Sequence, residues 1–129
     1  MPLWCLFVAV LLIYIAKLPV AWAMQQAGGY DNHHPRLQQA QLTGIGARAL
    51  AAHQNSFEAF PVFAAGVLLV HCSGLDGHLS DVLAVGHVIC RCGYLVLYWL
   101  DLHWQRSLLW LAGLLCSLGL LLMPLLAGA

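Results

Sequence analysis
Charge is what this chain has least of. Only 8% of its 129 residues are Asp, Glu, Lys or Arg, against about a quarter in a soluble domain, so it lacks the means to clothe a water-exposed surface. Five basic and five acidic residues cancel. No basic block exists, which removes the electrostatic footprint that nucleic-acid binding requires. The five cysteines (Cys5, Cys72, Cys90, Cys92 and Cys116) include no C-x-x-C pair. Cys90 and Cys92 fall on different faces of a predicted helix. The set reads as small apolar residues rather than a redox or metal centre. His33-His34 has no second ligand pair nearby in the sequence, so no metal site is expected. A basic region before the first apolar run is missing too. Although Ala21-Trp22-Ala23 imitates a cleavage site, that run reads as a retained span rather than a signal peptide.

Apolar length is what the chain does have, with 62% hydrophobic residues and a mean hydropathy of +0.82. About 20 apolar residues cross a ~30 Å hydrocarbon core. The pattern predicts an all-α integral membrane four-helix bundle, a single domain over 1–129. Its spans are expected at about 3–23, 46–71, 82–102 and 108–126, with a polar cytoplasmic loop over 24–45. Gly28-Gly29, Asp31-Asn32 and Pro35 mark that loop as turn-rich. Pro19 and Pro61 are expected to bend their spans. The fourth span, nearly all Leu, Ala and Gly, reads as packing and lipid-facing surface. Lys17, Arg36, Arg48 and Arg106 flank the first and third loops, while the second loop and both termini carry no basic residue. The first and third loops are therefore expected in the cytoplasm and both termini outside.

Two rows of polar residues interrupt this apolar chain. Successive helical residues turn by ~100°, so Arg48, Asn55 and Glu58 share an arc of roughly 80°, with His53 nearly opposite. On the third span His87, Arg91, Tyr94, Tyr98 and Asp101 recur at spacings of four, three, four and three, one helical stripe. Both rows are expected mostly in the cytoplasmic half. Together they predict a polar cavity open to the cytoplasm, in which Glu58 and Arg91 approach closely enough to neutralise each other, while His87 lies toward the outside. Ionisable residues inside a span indicate a functional site by default. The plainer alternative is that they only join helices by hydrogen bonds.

Two motif blocks carry a family resemblance. The first is Arg48-x4-His53-x-Asn55-x2-Glu58-x2-Pro61-x-Phe63, and the second Arg91-x2-Tyr94-x3-Tyr98-x2-Asp101-x4-Arg106-Ser107-x2-Trp110. With these, the chain resembles the MAPEG family, the membrane-associated proteins of eicosanoid and glutathione metabolism, and its short bacterial members in particular. The resemblance implies a homotrimer in a bacterial inner membrane, with glutathione as co-substrate bound at protomer boundaries. It implies delivery of the glutathione thiolate to lipophilic electrophiles or hydroperoxides, so that membrane lipids and a lipophilic small molecule join the chain itself as partners. Asn55 and Glu58 match positions that hold the γ-glutamyl part, and His53 one that bonds the peptide. Arg48, Arg91 and Tyr94 complete the implied glutathione-binding set. Arg106 resembles the arginine that stabilises the thiolate, although its spacing from Tyr98 is one residue shorter than in some relatives, and the hydroxyl of Tyr94 or Tyr98 is the implied hydrogen-bond donor to the sulfur.

One position departs from that pattern. The eukaryotic members of the family have a second arginine, a glutathione ligand, three residues after Arg48, where this chain has Ala51. That loss favours the alternative of a non-catalytic trimeric membrane protein binding a small anion, lipid or peptide. A proton-coupled exporter is disfavoured because its coupling glutamate belongs in the first span. Haem binding is disfavoured because His53 and His87 are expected at unmatched depths.

Overall fold
The computed structural model describes residues 1–128, and among these it is all-helical, with no strand. The elements are α1 (Pro2–Gln26), α2 (Pro35–Ala40), α3 (Gly44–Cys72), α4 (His78–Trp99) and α5 (His103–Ala127). All but α2 are long and apolar enough to cross a membrane. Pro19 and Pro61 sit inside unbroken helices. The amino group of Met1 lies 3.6 Å from the Asp81 carboxylate, so α1 and α4 begin at the same end of the bundle.

The stretch between α1 and α3 is folded rather than slack. Gly28 and Gly29 turn the chain with φ of 107° and 102°, values that strain any side chain. Pro35 then starts α2 at a position whose missing N–H costs nothing. Gln38 ties the turn together. Its amide nitrogen donates to Met24 O (3.1 Å) and Gly29 O (2.7 Å), and its amide oxygen accepts from Asp31 N–H at 2.9 Å. The backbone N–H groups of His34 and His33 donate to Asp31 and hold its carboxyl below the usual carboxylate range. A depressed folded pKa means this turn is favoured at neutral pH, and the contribution fades as pH falls through that pKa.

The buried interior forms three clusters along α1, in which alanines and valines let a few larger side chains such as Phe63, Leu120 and Met24 pack. Cys5 and Ala9 meet Phe63, Val67, Ala84 and Leu120. Leu12 and Ala16 meet Ala52, Tyr94 and Leu95. Val20 and Met24 meet Ala49. Lipid supplies no hydrophobic drive between helices, so close backbone approach has to hold the bundle. Gly66 shows how close: a Cβ there would lie 2.8 Å from Leu120 Cβ and 3.1 Å from Ser117 O on α5. Large apolar side chains such as Trp4, Phe7, Tyr14, Leu18 and Trp22 face outward.

One expected alignment is corrected. Helix α4 stops at Trp99, and Asp101 falls in the turn before α5 with φ of 62°. It therefore leaves the stripe that His87, Arg91, Tyr94 and Tyr98 occupy. Aspartate is one of the few residues that tolerates this left-handed conformation.

Candidate functional site
Arg91 is the hub. Only 6% of it is exposed, and α4 aims it at α3. One guanidinium N–H donates to Asn55 Oδ1 at 3.0 Å and another to Ser56 Oγ at 3.3 Å. Ser56 accepts because its own hydroxyl proton goes to Ala52 O, 2.9 Å away. Asn55 in turn donates from Nδ2 to Glu58 Oε2 at 3.0 Å. The expected direct Glu58–Arg91 pair is therefore replaced by a relay, with the Asn55 amide between cation and carboxylate. The physical reason lies in the helix period: Asn55 and Glu58, three residues apart, stand one above the other on α3, and the shorter amide reaches Arg91 first.

From Arg91 a column of rings runs along α4. Its guanidinium carbon sits 4.2 Å from the Tyr94 ring centre. Tyr94 meets Tyr98 edge to face at 5.5 Å, and Arg106 of α5 lies 4.0 Å over the Tyr98 ring. Each cation–ring contact contributes on the order of 0.5–2 kcal/mol, more where water is excluded. The column fixes Arg106 beside Tyr98 across the α4–α5 turn.

A cavity of about 130 Å³ opens beside the relay, lined by Asn55, Glu58, His87, Arg91, Trp110 and Ser117 among others. One expectation is corrected here, that of α5. His87, read on the stripe of Arg91, lines this cavity too. Its Nδ1 lies 3.1 Å from Gly113 O and 2.9 Å from Ser117 Oγ, and its ring stacks on Phe63 at 3.9 Å. Helix α5, expected only to pack and face lipid, supplies one wall. The signal for His87 was its position one turn from Arg91 on the same stripe. No such signal marked Ser117, whose relation to the site arises from packing alone, while Trp110 was marked only as the end of the second motif block.

The remaining candidates lie elsewhere. Arg48 reaches the α4–α5 turn, donating to Trp99 O at 3.4 Å and standing 3.7 Å from Asp101. Its Nε and the Trp99 Nε1 are enclosed without a partner. His53 faces α1, with Nδ1 3.0 Å from Ile13 O. It lines a separate groove of about 540 Å³ together with Lys17, Arg36, Gln54 and Phe57, and no carboxylate lines that groove. The structure thus gathers Asn55, Glu58, Arg91 and Tyr94 directly, joins Tyr98 and Arg106 through the ring column, and leaves Arg48 and His53 apart. Among the described residues no group of three or more His, Cys, Asp or Glu is placed to hold a metal.

Comparison with known proteins adds one finding. A family model described as MAPEG family matches residues 1–126. No curated protein and no solved structure matches the chain.

Proposed function
Since the chain belongs to the MAPEG family and is an integral membrane protein with four helices fit to span a bilayer, we propose that it binds glutathione and transfers its thiolate to lipophilic electrophiles or hydroperoxides. The observation that carries this reading is the Arg91–Asn55–Glu58 relay, continued by the Tyr94–Tyr98–Arg106 column. The residues fit the group. Glu58 offers a carboxylate to the γ-glutamyl ammonium, Arg91 and Asn55 offer donors to its carboxylate, and Arg106 offers a fixed cation to the sulfur.

Size argues for more than one chain. A cavity of about 130 Å³ is small beside the roughly 300–1,000 Å³ of typical ligand pockets. Lys17 and Arg36, with His53 beside them, meanwhile form a cationic groove on the opposite side of α3. No single chain brings both faces to one peptide. A homotrimer does so if the relay face of one copy meets the basic groove of the next, which also restores the cation that Ala51 removes. The assembly belongs in a bacterial inner membrane, with both termini outside the cytoplasm and the site open to the cytoplasm.

An unperturbed thiol has a pKa near ~8.5, so only a few per cent is ionised at neutral pH. Arginine raises that fraction without titrating itself. Titration calorimetry of the purified protein with glutathione should show saturable heat; none at millimolar peptide would remove this reading. Arg106→Ala should slow turnover about tenfold, the effect of raising the thiol pKa by about one unit, and move the pH–rate inflection upward. An unmoved inflection would exclude Arg106 from thiolate stabilisation. Ala51→Arg should tighten glutathione binding about tenfold, the low end for one charge-assisted hydrogen bond at ~1.5 kcal/mol. Unchanged or weaker affinity would place residue 51 away from the site.

The absent arginine at Ala51 favours a second reading, a trimer that binds glutathione or another small anion, lipid or peptide without turnover. Saturable binding with no consumption of either an aryl halide or an organic hydroperoxide would select it.

A further inference from the structure
The last carbonyls of a helix have no partner within it, and those of α4 find theirs in the turn and on α3. Val96 O accepts from Leu100 N–H at 3.0 Å, Leu97 O from Leu102 N–H at 2.9 Å and Tyr98 O from Asp101 N–H at 3.2 Å. The final one, Trp99 O, accepts from the Arg48 guanidinium at 3.4 Å. A residue of α3 therefore completes the end of α4.

The bonds to Leu97 and Tyr98 make a common helix-ending turn, whose left-handed position usually holds glycine. Here it holds Asp101, with φ of 62°. Aspartate suits that place poorly on two counts. Its side chain makes a positive φ more costly than glycine would, and its charge faces the negative end of the helix dipole. Arg48 offsets the second cost from 3.7 Å away. Packing does not account for the pair, because the Asp101 side chain is 66% exposed and Arg48 Nε is enclosed without a partner. A residue that breaks local preference in this way is expected at functional sites.

What the turn carries is Arg106. Leu102, which closes the end of α4, also precedes α5, and its carbonyl accepts from Arg106 N–H at 3.1 Å. No side chain caps the start of α5, so its first turn takes its place from the end of α4. The Arg106 side chain then reaches back to lie 4.0 Å over the Tyr98 ring. A displacement of Asp101 passes through Leu102 to that guanidinium.

We infer that Arg48 and Asp101 are positioning residues, which clamp the α4–α5 turn from α3 and so set where the Arg106 guanidinium stands. Arg48 bonds the turn rather than the relay, so this role is separate from ligand binding. Its catalytic consequence rests on the proposed action of Arg106 on the thiolate; the clamp itself does not.

Hydrogen exchange on the full chain in detergent, without glutathione, tests the clamp. Arg48→Met leaves the sequence of the turn untouched. The amides of Leu102 and Arg106 should then exchange about tenfold faster, the order of one lost hydrogen bond to a charged group. Those of Phe63, Val67 and Val70 in α3 should keep their rates. Unchanged exchange at the turn would overturn the inference, and so would equal acceleration throughout α3. Turnover tests the link to Arg106. Arg48→Met should lower kcat about threefold, keep KM for glutathione within about twofold, and move the pH–rate inflection upward, as Arg106→Ala does. Combined with Arg106→Ala its effect should vanish, since both act through one group; effects that multiply would overturn the inference. Asp101→Gly separates placement from stability. Glycine suits the left-handed turn, so the melting temperature should hold or rise while the inflection still moves upward. An unmoved inflection in either single variant, where Arg106→Ala does move it, would overturn the inference. An inflection that Arg106→Ala itself leaves in place would fail the proposed role of Arg106 alone, and exchange at Leu102 and Arg106 would then decide the clamp.

Discussion

Replacing Arg91 by leucine is expected to weaken glutathione binding by roughly ten- to a hundredfold while leaving the fold nearly as stable as before. The two effects separate because of what Arg91 touches. Its hydrogen-bond partners are neutral, the Asn55 amide and the Ser56 hydroxyl, so its removal strands no opposite charge against it. Breaking a buried ion pair typically costs 3–5 kcal/mol because the other charge is left behind, whereas here Ser56 keeps its bond to Ala52 O and Asn55 is only part buried. Leucine also keeps part of the contact with Tyr94. Binding is different. A hydrogen bond to a charged group contributes about 1.5–3 kcal/mol, and without Arg91 the Asn55 amide loses the donor that orients it toward Glu58. Calorimetry and thermal unfolding on the same preparation decide the matter. Undiminished affinity would remove Arg91 from the site, and unfolding accompanied by lost helicity would make it a purely structural residue.

Gly66→Ala is expected to be the most damaging single-methyl change, lowering stability by about 1–3 kcal/mol, the usual range for overpacking. The added Cβ would meet Leu120 Cβ at 2.8 Å and the backbone at Ser117 O and Leu121 N, at 3.1 and 3.3 Å. None of these atoms moves without shifting α5 against α3. Gly119→Ala supplies the control. Its Cβ would meet only the tips of Leu83, at 3.1 and 3.3 Å, and a leucine can turn away. Alanine also gains up to about 1 kcal/mol over glycine in a helix, so Gly119→Ala should be neutral or mildly stabilising. Melting temperatures of the two variants in one detergent test this directly. Equal shifts would mean that the α3–α5 contact is not the tight one.

Much of this was legible before any coordinates. Apolar run length and scarce charge are properties of short windows, and they suffice to identify spanning helices because a bilayer accepts little else. The stripe of His87, Arg91, Tyr94 and Tyr98 was equally readable, since helical period is local. So was the opposed direction of His53, which the contact with Ile13 bears out. Asp101 marks where this stops. Its spacing continued the stripe, but α4 ends two residues earlier and the turn takes it to Arg48.

By itself, then, the sequence determined the class of protein, its four spans, the family and which side chains share a helical face, because each follows from periodicity or motif along one segment. Tertiary structure alone decided that Asn55 stands between Arg91 and Glu58, that His87 shares their cavity, and that the leucine-rich α5 contributes a wall through Ser117 and Trp110. Those relations depend on how far each helix is rotated and raised against its neighbours. That is set by close contacts such as Gly66 against Leu120, and no single helix carries the information.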